Sequence, residues 1–137
     1  MKKIVLVIIF LLAISFFWIF SHYKIIDING RKFIAETALT AEKQAKGLGG
    51  RKNLGANRAM FFEFKRAGQY GFWMKDMNFD LDIIWILDDK IVYIAKNVSH
   101  KSLEVIKPEI EADKVLEINS GLSDEYGFKA GNRVKIY

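Results

Sequence analysis

Two short segments in the second half of the chain, Ile83–Leu87 and Ile91–Ile94, are apolar or aromatic at every position. Such short segments do not form stable helices, and a strand that is apolar on both alternating faces has to be buried on both. The residues that connect them, Asp88, Asp89 and Lys90, suit a tight turn. The pair therefore predicts a buried central β-hairpin, which we expect to form the core of the domain.

Strand and turn signals also lie on both sides of this hairpin. Asn29-Gly30 separates Ile25–Ile28 from Lys32–Glu36, and a tight type I′ turn needs the positive φ angles that Asn and Gly tolerate. A short helix is predicted over Thr40–Lys46, with Thr40 as its N-cap and Gly47 at its end. The other predicted elements are strands over residues 59–64, 69–75, 115–119 and 133–137 and one helical turn over residues 123–126. Strand signals dominate, so the predicted fold class is mainly β.

The N-terminal segment is unlike the rest of the chain. Lys2 and Lys3 precede Ile4–Phe20, a 17-residue run that only Ser15 interrupts. A helix of that length just crosses the hydrocarbon layer of a membrane, and the two lysines favour a cytoplasmic N-terminus. We therefore expect residues 1–23 to form a retained signal anchor, one transmembrane helix in the cytoplasmic membrane, and residues 24–137 to form one extracytoplasmic β domain.

Cleavage of a secretory signal is the alternative to an anchor. Ala13-Ile14-Ser15 offers a cleavage site of small residues, but cutting there would leave the apolar residues 16–20 exposed at the new N-terminus. Trp18 and Tyr23 fall near the far membrane interface, where aromatic side chains are enriched. These observations favour the anchor over an exported protein that has lost its signal.

The residue types that are rare or missing limit the chemistry of the chain. It contains no Cys and two His. Disulfides, cysteine-ligated metals and thiol nucleophiles are therefore excluded, and two imidazoles are too few for an all-histidine zinc site. We expect neither a metal ion nor a cofactor.

Basic residues are concentrated in the first half of the predicted domain. Residues 24–75 contain 11 Lys and Arg against 4 Asp and Glu, whereas residues 76–137 contain 8 against 12. The basic half could bind anionic lipid head groups or acidic envelope polymers, or it could be a solvated lysine-rich face. Nucleic acid is not an expected partner, because the predicted location separates the two and the sequence carries no nucleic-acid-binding signature.

Several motifs, taken in order, resemble one family. They are Gly47-Leu48-Gly49-Gly50-Arg51, Ala59-Met60-Phe61-Phe62, the run from Phe72 to Met77 with Phe79–Ile84 one residue after it, Val115–Gly121 and Gly127–Asn132. Together they resemble the family of the domain of unknown function 192. The chain departs from the family pattern at Asp76, where Asn is usual, and at Asp80, where Pro is usual. The resemblance implies a compact β sandwich or barrel of about seven strands with short helices, and it implies no reaction.

The aromatic run within these motifs supplies a candidate site. In an extended strand, alternation puts Trp73 and Lys75 on one face. By the same parity Asp80 and Asp82 share a face, so a ring, an ammonium group and carboxylates can converge on a polar or sugar-like ligand. The candidate ligand-binding residues are Arg51, Trp73, Lys75, Asp76, Asp82 and Glu117. The alternative is structural: Lys75 and Asp82 form an ion pair that locks the strand junction, with Trp73 in the core.

Catalytic interpretations have less support in the residue pattern. A Ser-His-Asp arrangement would have to use His100, whose loop lacks a nucleophile-elbow pattern, and the glycines near Arg51 lack phosphate-loop spacing. The better enzymatic alternative is an envelope glycan hydrolase with a carboxylate pair drawn from Asp76, Asp80, Asp82 or Glu117. We expect instead a non-catalytic binding or scaffolding module in the cell envelope, with a polar or anionic ligand or an envelope protein as its partner.

Overall fold

The computed structural model describes residues 1–137, apart from the side chains of residues 18–21. The elements in chain order are α1 (Lys2–His22), β1 (Tyr23–Ile28), β2 (Arg31–Thr37), α2 (Ala41–Lys46), β3 (Arg58–Gly68), β4 (Leu81–Leu87), β5 (Lys90–Val98), β6 (Ala112–Asn119), α3 (Leu122–Glu125) and β7 (Val134–Ile136). The predicted hairpin at Asn29-Gly30 and the predicted helix with Thr40 as its N-cap are confirmed.

The seven strands form one sheet in the order β5-β4-β6-β3-β2-β1-β7. Neighbouring strands are antiparallel except for β2 and β3, which are parallel. The sheet curls into a half-barrel, so that its two edge strands approach each other at one end: the Val134 N–H donates to the Asp89 carbonyl, and the Ile91 N–H donates to the Asn132 carbonyl, both at 2.9 Å. The mainly β prediction is confirmed, and the arrangement is one curled sheet rather than two packed sheets.

Each face of the sheet carries its own cluster of buried apolar side chains. The inner cluster draws on all seven strands and comprises Ile26, Ile28, Phe33, Ala35, Ala59, Phe61, Ile84, Ile86, Ile91, Leu116, Ile118, Phe128 and Val134. The outer cluster draws on β3, β4 and β6 and on the segments that cover them, and comprises Ala38, Leu48, Met60, Phe62, Met74, Leu81, Ile83, Trp85, Ala112 and Val115. Strands β4 and β6 are therefore covered on both faces, as the apolar pattern of residues 83–87 predicts.

Two predictions about strands need correction. The predicted strand over residues 69–75 is wrong: after Gly68 the chain leaves the sheet, because β2 and β6 already occupy both sides of β3. Only Phe72 in that segment makes a β-bridge, with Ile106. The predicted central hairpin is half right, since β4 lies inside the sheet whereas β5 forms its edge and leaves Tyr93 exposed.

No described side chain of helix α1 belongs to either cluster, and the apolar side chains from Ile4 to Phe17 are exposed. Among the described residues, no helix combines the length and the apolar character needed to span a membrane. The prediction of a transmembrane helix is thus not confirmed. The predicted interfacial position of Trp18 lies outside the described side chains.

Candidate functional site

A cavity of about 180 Å³ lies on the outer face of the sheet, above β6. Helix α2 and the loop that follows it form one side of the cavity, and the irregular segment between β3 and β4 forms the other. Its walls are aromatic, its rim carries two lysines, and its floor carries one carboxyl group. We call this cavity the Glu117 pocket. Glu117 forms its floor, and Lys46 and Lys75 lie at its rim. The aromatic walls are the rings of Phe62, Phe64, Tyr70, Phe72 and Trp73.

Glu117 is the chemically unusual residue of this pocket. It lies on β6 between Met60 of β3 and Ile83 of β4 in the strand register, and only 5% of its surface is exposed. Its Oε2 atom has no hydrogen-bond partner. Burial raises the pKa of Glu117 to about 8, against a smaller opposing effect of the Arg51 charge. The carboxyl group is therefore uncharged at neutral pH and can both donate and accept a hydrogen bond.

Arg51 is near enough to Glu117 to influence it, but it is paired elsewhere. Its Nη2 atom lies 2.7 Å from Glu36 Oε2, and Lys43 Nζ lies 3.6 Å from the other oxygen of the same carboxylate. Two cations thus share Glu36, while Glu117 has no ion-pair partner among the described residues. The charge pattern leaves the pocket floor neutral.

The glycines of the motif that starts at Gly47 allow the loop to approach its neighbours closely. Gly47 has a φ of 52°, which side-chain-bearing residues rarely adopt, and a Cβ there would meet the Glu117 carboxyl at 3.5 Å. A Cβ on Gly49 would lie 2.9 Å from the Lys46 carbonyl oxygen, which is too close. The Gly50 N–H donates to the Asp76 carbonyl at 2.8 Å, so the loop is joined to the opposite side of the pocket.

The alternation predicted for Trp73 and Lys75 is observed although their segment is not a strand. Trp73 is 51% exposed, and Lys75 Nζ lies 5.2 Å from the centre of its ring, while Met74 is buried. Phe72 exchanges two backbone hydrogen bonds with Ile106, of 2.9 and 2.7 Å, which fix the segment in place. The chain then turns at Asp76, whose φ of 58° is one that Asp and Asn tolerate better than most residues.

Asp82 lies on the inner face of the sheet, because it has the same parity on β4 as Ile84 and Ile86 of the inner cluster. Its carboxylate accepts hydrogen bonds from the backbone N–H groups of Asn97, Gly121 and Ser123, at 2.8, 3.2 and 2.8 Å. These bonds join the end of β5 to the start of α3. Lys75 and Asp82 form no ion pair in the described part of the chain. The structural alternative, in which this pair locks the strand junction, is therefore not found.

The carboxylate of Asp80, like that of Asp82, already accepts hydrogen bonds within the fold. Hydrogen bonds from the backbone N–H and from the ring of His100, at 2.7 and 2.6 Å, lower the pKa of Asp80. Of the predicted site residues, Trp73, Lys75 and Glu117 border one cavity, and Asp76 lies in an adjoining groove with Trp73 and Lys75. Arg51 is outside the lining of both. Asp82 lies apart from them.

Sequence reasoning missed part of the pocket. Lys46 appears in the sequence as one of many basic residues, and Phe64 and Tyr70 carry no motif, yet their rings stack at 3.6 Å between centroids and form part of the wall. The usable signal was a single acidic residue inside the apolar strand Val115–Ile118. Among the described side chains, no group of three His, Asp or Glu is placed to bind a metal ion.

Comparison with known proteins confirms the resemblance noted in the motifs. The model of a family described as "Uncharacterized ACR" and designated DUF192 matches residues 24–136. A crystal structure of a protein of unknown function from Novosphingobium aromaticivorans is 30% identical, covers 82% of this chain and 83% of its own, and has a TM-score of 0.74. A crystal structure from Sinorhizobium meliloti, described as a "putative transcription regulator", is 25% identical, covers 83% and 93%, and has a TM-score of 0.79. None of the curated proteins matches the chain.

The position of Asp82 leads to a stability prediction. Asp82→Ala should lower the free energy of unfolding by about 3 kcal/mol or more, because three backbone N–H groups lose their acceptor. Lys75→Ala should lower it by less than about 1 kcal/mol, since the side chain is exposed, and the two effects should add in the double variant. Urea midpoints of the three variants measure this. Strong coupling between the two substitutions would mean that the two side chains interact after all.

The neutral state of Glu117 leads to a pH prediction. Between its ordinary pKa near 4.5 and its folded-state pKa of about 8, the folded protein keeps a proton that the unfolded chain loses. Stability should therefore fall as pH rises through this window, by up to about 1.4 kcal/mol per pH unit. Glu117→Gln, which has nearly the same shape and no charge, should remove this part of the slope. Urea midpoints at about pH 5 and about pH 8 test it, and equal slopes in both proteins would refute it.

Proposed function

This chain belongs to the DUF192 family, and we propose that it is a module that binds a small ligand in the Glu117 pocket without transforming it. The observation that carries the proposal is the carboxyl group of Glu117, which is buried, uncharged and without a partner at Oε2. A buried polar group that lacks a hydrogen bond costs about 1–3 kcal/mol of stability. A ligand that supplies the missing bond gives a reason to retain such a group.

The volume of the pocket limits the ligand to one ring. An engineered cavity of about 150 Å³ binds benzene, and pockets for drug-sized molecules occupy about 300–1,000 Å³. The Glu117 pocket, at about 180 Å³, is close to the former value. Its aromatic walls suit a flat or slightly puckered ring, which can bury its face without needing many polar contacts.

Binding is favoured over hydrolysis by the distribution of carboxylates. Glycoside hydrolysis uses two carboxyl groups on either side of the scissile bond, about 5–9.5 Å apart. Glu117 is the single carboxylate in the lining as described, and Asp80 and Asp82 already accept hydrogen bonds elsewhere. A pocket with one uncharged acid can orient a ligand, but it lacks the second group that a glycan hydrolase needs.

The cytoplasmic membrane remains the location we propose, with the β domain on its extracytoplasmic side. The support is the apolar surface of α1: its side chains from Ile4 to Phe17 are exposed and surround the helix, and Lys2 and Lys3 precede them. Lipid is the partner that would cover an apolar surface of this kind, and α1 leads directly into β1 at Tyr23.

Ligand binding is tested by a screen of single-ring compounds against the full-length protein in nanodiscs. Saturation-transfer NMR should detect compounds that bind the natural protein and do not bind Glu117→Leu. That variant should also be more stable at pH 8 by about 1–3 kcal/mol, because it replaces an unpartnered carboxyl with an apolar group of similar size. Glu125→Leu, at an exposed position of α3, is the control and should keep the binders. A screen without binders, or binders that survive Glu117→Leu, would reject the proposal.

Location is tested by the access of protease to the domain. If α1 is an anchor with a cytoplasmic N-terminus, protease added to intact spheroplasts should digest the β domain, while a cytoplasmic marker protein stays intact. The membrane fraction should retain the full-length chain before digestion. Recovery of the protein in the cytosol, or a mature chain that begins at Phe16, would contradict the anchor.

A further inference from the structure

The Glu117 pocket combines three features that one kind of ligand satisfies together. Its rim is positively charged, its walls are aromatic, and its floor is a neutral group that can donate and accept a hydrogen bond. Each feature alone admits many ligands. The combination excludes most of these ligands. The ligand class that remains is narrower than the single-ring ligands proposed above, and this inference rests on that proposed function.

The rim selects for negative charge. Lys46 and Lys75 both border the pocket, and neither forms an ion pair with any described residue. Lys75 instead lies over the ring of Trp73. The lining of the Glu117 pocket contains no charged acid, although Glu42 and Asp76 border the same two lysines in the adjoining groove. Within the pocket, the two ammonium groups therefore favour anions over cations.

The floor selects for a hydroxyl or carbonyl group. An uncharged carboxyl such as that of Glu117 can donate its proton to a ligand oxygen and accept a hydrogen bond from a ligand hydroxyl. A purely apolar ring would leave Oε2 as it is now, buried and without a partner. A cation at the floor would require Glu117 to ionise, although the surrounding burial holds its pKa near 8.

The walls select for a ring with an apolar face. Phe62 and Phe72 meet edge to face at 4.9 Å between centroids, and Phe64 and Tyr70 stack nearby. Aromatic surfaces of this kind pack against the C–H face of a sugar ring and leave its hydroxyl groups free for polar contacts. The volume of about 180 Å³ admits one such ring.

We propose that the ligand is a six-membered sugar ring that carries an anionic group. The ring lies against the aromatic walls, one of its hydroxyls bonds to Glu117, and its anionic group lies between Lys46 and Lys75. A carboxylate and a phosphate would both satisfy the rim, and the experiment distinguishes them.

The experiment is isothermal titration of the full-length protein in nanodiscs, which avoids detergents with sugar head groups. The probes are glucuronic acid, glucose 6-phosphate, glucose and glucosamine, at neutral pH. At least one of the two anionic sugars should bind about tenfold more tightly than glucose, which two charge-assisted hydrogen bonds can supply, and glucosamine should bind most weakly. The tighter of the two identifies the anionic group.

Variants assign the preference to its residues. Lys46→Ala and Lys75→Ala should each reduce the ratio of anionic-sugar to glucose affinity, and Lys65→Ala, an exposed lysine of β3 outside the pocket, should leave it unchanged. Glu117→Leu should weaken every sugar alike. Equal affinity for glucose and the anionic sugars, or a preference that survives both lysine variants, would overturn the inference. If no sugar binds but another ring compound from the screen does, the inference fails and the proposed binding function stands.

Discussion

The parallel pairing of β2 with β3 is the constraint on which the pocket depends. Two parallel neighbours need a connection that returns the chain to the same end of the sheet, and such a crossover usually contains a helix. Here the crossover runs over residues 38–57 and carries α2 and the glycine loop. A second connection has a similar constraint: β3 and β4 lie on opposite sides of β6, so residues 69–80 have to pass β6 to join them. Both connections cover β6, and Glu117 lies on β6 beneath them.

Coverage by these two connections explains why one carboxyl group behaves so differently from the others. On an uncovered antiparallel sheet the outer face meets water, and an acidic residue there is hydrated and charged. Glu117 instead lies between Met60 and Ile83 under aromatic side chains, so desolvation outweighs the attraction of Arg51. The topology of the sheet thus sets the protonation state of its most distinctive residue.

Features that depend on neighbouring residues were predicted from the sequence. Features that depend on the pairing of strands far apart in the chain were missed. The Asn29-Gly30 hairpin and the Thr40 cap depend on neighbouring residues alone, and both were found. The outward alternation of Trp73 and Lys75 was also found, because an extended segment alternates whether or not it pairs in a sheet. Asp82 was placed with Trp73 and Lys75 by the same parity argument. Parity shows which residues of a strand share a face, but it does not show which of the two faces of the sheet that is. The parallel pair left no signal in any single segment, and the one local sign of the pocket was Glu117, an acidic residue inside an otherwise apolar strand.

The distribution of positive charge argues that the neutral floor is a feature of the site and not a defect of packing. A carboxyl group kept only for stability would be expected to pair with the nearest cation, since a buried partner offsets much of its desolvation cost. Arg51 is the cation whose charge acts on Glu117, yet its Nη2 atom lies 2.7 Å from Glu36 Oε2, and Lys43 Nζ lies 3.6 Å from Glu36 Oε1. Both Arg51 and Lys43 thus pair with the half-buried carboxylate of Glu36, and the buried carboxyl group of Glu117 stays protonated. A protonated carboxyl beside an open cavity provides what an ion pair cannot, namely a donor and an acceptor that are both available to a ligand.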